Sequence, residues 1–397
     1  MLQNVIYYGE LMKILMYRSK IVPWDVKPLV MTGFEIETFE MIKSSRYDPF
    51  LKKKLANKGI LDYIFASRPI RAIGVLCGSS IDCNPFALYS QIMTKRPEII
   101  YTVEDITLSS YVAAFTKEKI NSKFIFTSWE NKFRPKWNPL RKIVFEKADA
   151  ITTPSISTKE LMIKEFPSFS EKVHWIPGAV DTNRFCPNAD KSLRTTLSLD
   201  DKFVILFVGS LIKRKGIDYL IRAFNRLHSK RPNAVLVLSG DGEDKQEFCK
   251  LVSQLNLQNN IIFLGPTDYN EVHKVFSICD IFCLPSVETF RWKEQFGFVI
   301  IQAMACGKPI VGTNSGAIPE VIGDAGIIVP ERDDKRLAEA FESLLSEGYR
   351  SKLGNIARKR AETIYSMSVV SRQFKNLFEN VVKNKKTNPL ASNGHLV

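Results

Sequence analysis

Short apolar runs alternate with amphipathic stretches along most of the 397-residue chain, and this alternation is interrupted once. Apolar runs separated by helical stretches predict parallel strands joined by helices, which is the pattern of an α/β protein. The interruption is a polar, turn-rich segment at 181–202. We interpret this segment as the boundary between two α/β domains of similar size.

Each half of the chain contains its own series of predicted strands. These are 12–17, 70–77, 98–103, 123–128, 150–154 and 173–177 in the first half, and 203–210, 234–242, 261–265, 281–286 and 309–313 in the second. Helices are expected between them, for example at 156–166, which Ser155 or Ser157 could cap. The predicted organisation is a Rossmann-like acceptor domain at 1–185, a linker at 186–202, a second Rossmann-like domain at 203–365, a helix at 366–384 that packs back on the first domain, and a tail at 385–397.

The chain is basic, with 56 Lys and Arg against 42 Asp and Glu, and the excess is spread over both halves. A basic protein can favour nucleic acid, an anionic membrane or a phosphate-rich ligand, and charge alone does not choose among them. No apolar run reaches the roughly 18 residues that a membrane helix needs, and no secretory leader is visible, so we expect a cytoplasmic protein. The seven scattered cysteines contain no C-x-x-C pair, which argues against a disulfide framework or a zinc site.

A glycine- and lysine-rich turn follows the first predicted strand of the second half. Gly209 and Gly216 enclose the cations Lys213, Arg214 and Lys215, and a helix begins after the turn. Glycine permits close backbone approach, and a helix start offers free N–H groups, so this cluster suits a diphosphate. It matches neither G-x-x-x-x-G-K-[ST] nor G-x-G-x-x-G. A solvated basic loop at a helix start is the alternative interpretation.

A second cluster follows the predicted strand at 281–286. Glu294 lies in the loop, a helix begins near Gly297, and Gln302 lies about two turns later. The first amides of that helix, at Phe298 and Val299, are available to an anion. The carboxylate of Glu294 is placed to accept hydrogen bonds from hydroxyls. The alternatives are a carboxylate that only complements the helix dipole and a structural amide at 302.

In order and spacing, these clusters resemble the retaining, nucleotide-sugar-dependent glycosyltransferases of family four, also called glycosyl transferases group 1. That family carries G-[RS]-L-x-x-x-K-G, then E-x-F-G-x-x-x-x-E-A-M-A-x-G-x-P, then G-x-P-E-V, which correspond to 209–216, 294–309 and 316–321 here, with one more residue between Gly316 and Pro319 than the last pattern has. The likeness holds over 173–325 and is weaker toward both ends. It implies the GT-B fold, in which two Rossmann-like, doubly wound domains face each other across a cleft.

The resemblance also implies roles for individual residues. Lys215 would pair with the donor diphosphate, Glu294 would contact the transferred sugar, and Gln302 would hold the ribose hydroxyls. The implied donor-binding residues are Gly209, Ser210, Arg214, Lys215, Gly265, Pro266, Glu294, Phe296, Gly297, Phe298, Val299 and Gln302. The family often has Arg at position 210, so Arg214 or Lys213 would have to substitute for it. Gln302 replaces a family Glu, and we expect weaker donor binding from that change.

The first half matches the family less well. Thr32 and Gly33 lie where the family has G-G-x-E at the start of its first helix. Val103 replaces a histidine that the family often places near the reacting centre. Glu104 and Glu130 are our candidates for orienting the acceptor, and Lys215 and Glu294 complete the predicted catalytic set. A surface or strand-end carboxylate is the alternative for Glu104 and for Glu130.

The implied activity is transfer of a sugar, with retention, from a UDP- or GDP-type donor to a hydroxyl of a glycan, lipid-linked or protein acceptor. The leaving diphosphate would accept the acceptor's proton, so neither a covalent nucleophile nor a metal or other cofactor is expected. The alternatives are a degenerate GT-B nucleotide-sugar-binding or scaffold protein without turnover, and a GT-B epimerase. No nucleic-acid motif supports nucleic acid as a partner.

Two basic stretches bear on the acceptor. Residues 51–59 and 132–147 combine Lys and Arg with apolar or aromatic residues. Such stretches are compatible with peripheral contact at an anionic inner membrane face, as a lipid-linked acceptor would require. Solvated helix faces are the alternative interpretation.

Overall fold

The computed structural model describes residues 12–18, 23–40, 84–132, 138–187, 192–268, 270–290 and 292–386. The predicted strand at 70–77 and the basic stretch at 51–59 lie outside these residues. Within them, no helix is both long enough and apolar enough to cross a bilayer.

The first domain is built on a parallel sheet of six described strands in the order β2-β1-β3-β4-β5-β6. The strands are β1 (Lys13–Arg18), β2 (Glu35–Glu40), β3 (Ile99–Val103), β4 (Lys123–Thr127), β5 (Ala150–Thr153) and β6 (Val173–Trp175). Its helices are α1 (Pro23–Val30), α2 (Pro85–Lys95), α3 (Leu108–Thr116), α4 (Asn138–Lys147) and α5 (Ile156–Glu165).

The second domain has a parallel sheet of six strands in the order β12-β11-β10-β7-β8-β9. The strands are β7 (Phe203–Val208), β8 (Ala234–Ser239), β9 (Ile261–Gly265), β10 (Ile281–Leu284), β11 (Ile310–Thr313) and β12 (Gly326–Val329). The helices are α6 (Ser192–Thr196), α7 (Ile217–His228), α8 (Lys245–Gln254), α9 (Val272–Ser277), α10 (Phe298–Ala305), α11 (Ile318–Ile322), α12 (Asp334–Ser343), α13 (Glu347–Arg360) and α14 (Met367–Lys386). The predicted two-domain α/β, GT-B architecture is confirmed.

The order of the strands decides where a ligand can bind. In both sheets the winding direction reverses between two neighbouring strands, β1 and β3 in the first domain and β7 and β10 in the second. At such a switch point the loops after the two strands diverge and leave a crevice at the carboxyl edge of the sheet. The cluster at 209–216 follows β7, and the cluster at 294–302 follows β10. The two clusters therefore share one switch point.

The strands and helices form where the apolar pattern predicts them. Strand β7 is apolar throughout, because helices cover both faces of a parallel sheet. Helix α7 buries one apolar stripe, which includes Leu220, Phe224 and Leu227. Ser155 caps α5, and its hydroxyl accepts a hydrogen bond from the amide of Thr158 at 3.2 Å.

The predicted position of Thr32 and Gly33 at the start of the first helix is wrong. The two residues form a turn after α1, in which the Thr32 hydroxyl donates to the carbonyl of Leu29 at 2.6 Å. Strand β2 follows, and its first residue, Glu35, pairs with Lys13 at the start of β1. Thr32 and Gly33 thus lie at the amino edge of the sheet, opposite the edge that carries a ligand crevice. The sequence did not predict β2, β12, α1 or α11, and helix α6 lies within the segment at 186–202 that was predicted to be a linker.

The last helix, α14, crosses from the second domain onto the sheet of the first. Its side chains Phe374 and Phe378 lie edge-on to the ring of Tyr101, with ring centroids 6.0 and 6.1 Å apart. At the crossing, the amide of Val180 donates to the carbonyl of Tyr365 at 2.8 Å, and the amide of Met367 donates back to the carbonyl of Val180 at 3.1 Å. The final helix therefore completes the hydrophobic core of the first domain.

Replacing Phe378 with Ala should destabilise the first domain. The Phe378 side chain is fully buried, and truncation of a buried Phe typically costs about 3–5 kcal/mol. Urea unfolding followed by circular dichroism measures the change. Glu379→Ala on the same helix is the control, since that side chain is partly exposed and pairs with Lys383 only at 3.8 Å. Equal stability of the two variants would contradict the packing role of α14.

Candidate functional site

The turn after β7 is brought against the loop after β10 by a glycine. Lys213–Lys215 form a short 3-10 turn, and Gly216 follows with φ +69° before α7 begins. A Cβ at this position would lie 1.9 Å from the carbonyl oxygen of Pro285, so a larger residue cannot fit without moving the backbone. Gly216 thereby lets the two loops of the switch point touch.

The two predicted clusters meet in an ion pair. The Nζ of Lys215 lies 2.5 Å from Oε2 of Glu294, and both side chains are largely buried. The hydroxyl of Ser286 donates to the same carboxylate oxygen at 2.8 Å. A buried charge needs a partner of opposite sign and good hydrogen bonding, and this arrangement provides both. The structure therefore unites a cation and a hydroxyl-accepting carboxylate at the predicted crevice.

The backbone of Glu294 is held from the other side by a second tight contact. Its carbonyl accepts a hydrogen bond from the amide of Ala317 at 3.0 Å. Gly316 has φ +54°, and a Cβ there would lie 2.0 Å from the Glu294 carbonyl oxygen. The loop after β11, which carries the family's G-x-P-E-V pattern, thus fixes the position of Glu294.

Helix α10 begins immediately after Glu294 and directs its positive end toward the same crevice. Gly297 precedes the helix with φ +81° and supplies no side-chain cap. Helix geometry leaves the amides of a first turn without a carbonyl partner inside the helix, so those of Phe298 and Val299 suit an anion. Gln302 lies in the next turn and is 8% exposed.

The three neighbouring cations have different partners. Lys213 forms an ion pair with Glu247 of α8 at 2.9 Å. The guanidinium of Arg214 lies 3.9 Å from the ring centre of Trp292, and the Nζ of Lys215 lies 4.9 Å from the same centre. Trp292 was not among the predicted site residues. Its signal in the sequence was only an aromatic residue within a basic loop.

Gly265 ends β9 and Pro266 follows it, two strands away from β7 in the sheet. The carbonyl of Gly265 accepts a hydrogen bond from the amide of Gly240 at 2.8 Å, and the amide of Gly209 donates to the carbonyl of Ser239 at 2.9 Å. These bonds tie together the loops after β7, β8 and β9. The residues that we predicted to flank a base therefore border the loop that carries Ser210.

On the first domain, Glu104 follows β3 at the switch point of that sheet. Its backbone has φ +73°, which is unusual for a residue with a side chain. Backbone strain of this kind is often found at functional sites. The amide of Glu104 donates to the carbonyl of Thr127 at 2.7 Å, and its carbonyl accepts from the hydroxyl of Ser110 at 2.6 Å. The strained backbone is thus held by its neighbours.

Glu130 is tied to a buried ion pair that the sequence reading did not single out. The Nε of Arg141 lies 2.7 Å from a carboxylate oxygen of Asp105, and the Nη2 of Arg141 lies 3.4 Å from Glu130. Burial raises the pKa of the Asp105 carboxyl, and the guanidinium of Arg141 opposes that shift. This geometry favours the structural interpretation of Glu130 as a partner of Arg141.

Several contacts hold the two domains together beside the crevice. The ring of Trp129 lies 5.5 Å from that of Phe298, and the carbonyl of Trp129 accepts from Nε2 of Gln295 at 2.7 Å. Lys132 forms an ion pair with Glu288 at 2.5 Å. The carboxyl edges of the two sheets therefore face each other. Three described cations of the basic stretch at 132–147, Lys132, Arg141 and Lys147, form ion pairs within the protein.

Another interdomain contact uses the carboxylate of Glu320. Its two oxygens accept hydrogen bonds from the amides of Ile156 and Ser157 at the start of α5, each at 2.8 Å. Burial raises the pKa of Glu320, and these two amide donors oppose that shift. The glutamate of the G-x-P-E-V pattern thus caps a helix of the opposite domain.

Comparison with known proteins agrees with the resemblance found in the sequence. The sequence model of the family described as Glycosyl transferases group 1 matches residues 189–360. An uncharacterized glycosyltransferase of Methanocaldococcus jannaschii is 31% identical over 237 residues, which cover 58% of this chain and 59% of that protein. The GDP-mannose-dependent monoacylated alpha-(1-6)-phosphatidylinositol monomannoside mannosyltransferase of Corynebacterium glutamicum is 30% identical over 248 residues, which cover 60% of this chain and 64% of that protein. The chain thus spans about three fifths of the length of these two relatives.

A solved structure supports the fold along almost the whole chain. The crystal structure of Anabaena HepE in complex with UDP and glucose has a TM-score of 0.73 and 18% sequence identity. The superposition covers 93% of this chain and 99% of the Anabaena chain. At this level of identity the comparison establishes the GT-B fold.

Replacing Gly316 with Ala should displace the Glu294 backbone. A Cβ would enter a space already taken by the Glu294 carbonyl, and φ +54° itself disfavours a side chain, so we expect a loss of more than about 2 kcal/mol. Thermal unfolding measures the change. Gly348→Ala is the control, because a Cβ there meets nothing within 4 Å. An unchanged melting temperature in the Gly316→Ala variant would contradict the proposed fixing of Glu294.

Proposed function

We propose that this chain, whose residues 189–360 match the sequence model described as Glycosyl transferases group 1, is a glycosyltransferase that moves a sugar from a nucleotide-sugar donor to an acceptor hydroxyl. The observation that supports this most strongly is the ion pair between Lys215 and Glu294 beside the start of α10. A cation, a carboxylate and a helix N-terminus at a sheet switch point are the groups that a sugar diphosphate requires.

The proposed chemistry depends on charge stabilisation at the donor. Lys215 and the first amides of α10 would hold the diphosphate and stabilise the negative charge that develops as it leaves. Glu294 would then accept hydrogen bonds from hydroxyls of the transferred sugar, with Ser286 orienting the carboxylate. We propose that these groups neutralise the diphosphate without a metal ion.

We propose that transfer proceeds with retention. The bond between the anomeric carbon and the diphosphate oxygen breaks, a bond to the acceptor oxygen forms on the same face, and the acceptor's proton passes to the leaving diphosphate. Such a route demands positioning rather than a covalent nucleophile. Glu104 is our preferred residue for orienting the acceptor, since it follows β3 at the switch point of the first sheet and its carboxylate accepts a hydrogen bond there from the amide of Trp129 at 3.4 Å.

We propose a UDP- or GDP-sugar as donor. Support comes from two of the similar proteins: Anabaena HepE is bound to UDP, and the Corynebacterium mannosyltransferase is GDP-mannose-dependent. The latter acts on a phosphatidylinositol monomannoside, which supports a glycan or lipid-linked acceptor. A protein acceptor belongs to the same proposal. Peripheral membrane contact is proposed for a lipid-linked acceptor, with the exposed Lys142 of α4 as its described support.

A panel of nucleotides and nucleotide sugars tests the donor site and the turnover separately. The purified chain is melted with UDP, GDP, ADP and dTDP and with the corresponding sugars, and release of free nucleotide is followed in parallel. A selective rise in melting temperature with nucleotide release supports the proposal. A rise without release would favour a nucleotide-sugar-binding protein without turnover, which the changes at Ser210 and Gln302 motivate. No rise with any member would overturn the donor site.

Lys215→Ala should abolish most of the activity. Loss of a charge stabiliser at the leaving group typically costs about 100-fold or more in rate, so kcat/KM for nucleotide release should fall at least that much. Lys230→Ala is the matched control, because Lys230 also pairs with a glutamate, Glu342, at 2.8 Å but on an exposed face of the second domain. Retention of full activity by Lys215→Ala would show that the donor site is wrongly assigned.

A further inference from the structure

A groove of about 560 Å³ lies between α7, α8 and the loop after β10. Its floor includes the apolar side chains of Phe248, Leu251 and Val287 and the ring of Tyr219. Five cations and two carboxylates, Asp218 and Glu247, are among the other lining residues. The cations are Lys213, Arg214, Arg222, Lys250 and Arg332. A groove of this size, with an apolar floor and a few charged groups, suits a small ligand.

This groove is separate from the donor crevice but shares a wall with it. Neither Lys215 nor Glu294 is among the described residues that line it. Arg214 lines the groove, and its guanidinium lies on the indole of Trp292, which is also 4.9 Å from the Nζ of Lys215. A ligand in the groove would therefore touch the cation that lies next to the donor site.

The charges of the groove are arranged for an anion with hydroxyls. Lys213 is paired with Glu247 at 2.9 Å, and Arg332 is paired with Glu331 at 3.0 Å. Arg222 and Lys250 are exposed and extend the positive charge along α7 and α8. The carboxylate of Asp218 can accept hydrogen bonds from hydroxyls, and the face of the Tyr219 ring can pack against a sugar ring.

We propose that this groove binds an anionic saccharide, a sugar that carries a phosphate or a carboxylate group. The anionic character rests on the excess of cations in the groove, whereas the choice of a saccharide rests on the proposed glycosyltransferase function. The concave shape keeps a bilayer away from the floor. The two carboxylates would oppose the closely spaced phosphates of a polynucleotide but suit the hydroxyls of a sugar.

Calorimetric titration of the full chain with glucose 6-phosphate, with inorganic phosphate and with glucose tests the proposal. We expect glucose 6-phosphate to bind more tightly than either fragment, because it engages both the cations and the hydroxyl-accepting groups. The double variant Arg222→Glu/Lys250→Glu should weaken this binding by at least about tenfold, since it reverses two charges at the groove. Lys352→Glu/Lys359→Glu on α13 changes the net charge equally at exposed positions and should bind like the unmodified chain.

The same variants separate this proposal from the proposed function. UDP binding should be unchanged in Arg222→Glu/Lys250→Glu, whereas Lys215→Ala should lose UDP binding and keep glucose 6-phosphate binding. Failure of UDP to bind the unmodified chain would overturn only the donor site. The groove proposal would be overturned if glucose 6-phosphate did not bind or if both double variants bound it equally well. It would also be overturned if inorganic phosphate bound as tightly as glucose 6-phosphate.

The anionic saccharide could be a free metabolite or part of an acceptor chain, and kinetics distinguish the two. A free ligand would change the rate of nucleotide release when glucose 6-phosphate is added without itself being glycosylated. If the groove binds part of an acceptor chain, the Arg222→Glu/Lys250→Glu variant should have a higher KM than the unmodified chain for a glucuronate-containing oligosaccharide acceptor. Its KM for a neutral oligosaccharide acceptor should be unchanged. Either result supports an anionic-saccharide site. No effect of the variant in both assays would contradict a functional role.

Discussion

The ion pair between Lys215 and Glu294 determines how the loops of the second domain are arranged. Each partner follows a different strand, and the two strands are neighbours only because the sheet reverses its winding between β7 and β10. Two glycines make the contact possible, since a Cβ at Gly216 or Gly316 would clash with a backbone carbonyl. A charged pair taken out of water is stable only with good geometry and further hydrogen bonds, which Ser286 supplies here. The spacing of the glycines in the sequence is thus a requirement of the ion pair.

The contacts across the cleft depend on the same loops. Gln295, next to Glu294, bonds the carbonyl of Trp129, and Glu320, four residues after Gly316, caps a helix of the first domain. Glu294 and Gly316 of the crevice are therefore adjacent or close in sequence to the residues that hold the domains together. The G-x-P-E-V pattern consequently serves two purposes, a tight turn beneath Glu294 and an interdomain helix cap.

The sequence predicted the buried strands and the strand-turn-helix units that carry Lys215 and Glu294 well, because both depend on short-range patterns. Strands covered on both faces are apolar throughout, and the residues of the donor cluster are spaced by the geometry of one strand-turn-helix unit. Strand β2 (Glu35–Glu40) was not predicted because it is the outermost of the described strands of its sheet and alternates charged residues with apolar or uncharged ones. The positive φ of Glu104 could not be predicted either, because it depends on hydrogen bonds to Thr127 and Ser110, which are not its immediate neighbours. The contacts of Trp292 could not be predicted, because they depend on Arg214 and Lys215, which the fold brings against its ring.

The two departures from the family pattern in the donor cluster become consistent when their charges are considered together. Ser210 removes a positive charge that the family often has, and Gln302 removes a negative one. The two changes cancel, so the net charge of the crevice is preserved although each position is altered. Lys215 is the cation that pairs directly with Glu294. In the proposed function, the charge of Lys215 would reach a diphosphate fully only when Glu294 turns to the hydroxyls of the sugar. Engagement of the sugar and stabilisation of the leaving group would thereby be coupled, so we expect the proposed site to favour a complete nucleotide sugar over a bare nucleotide in the transfer step.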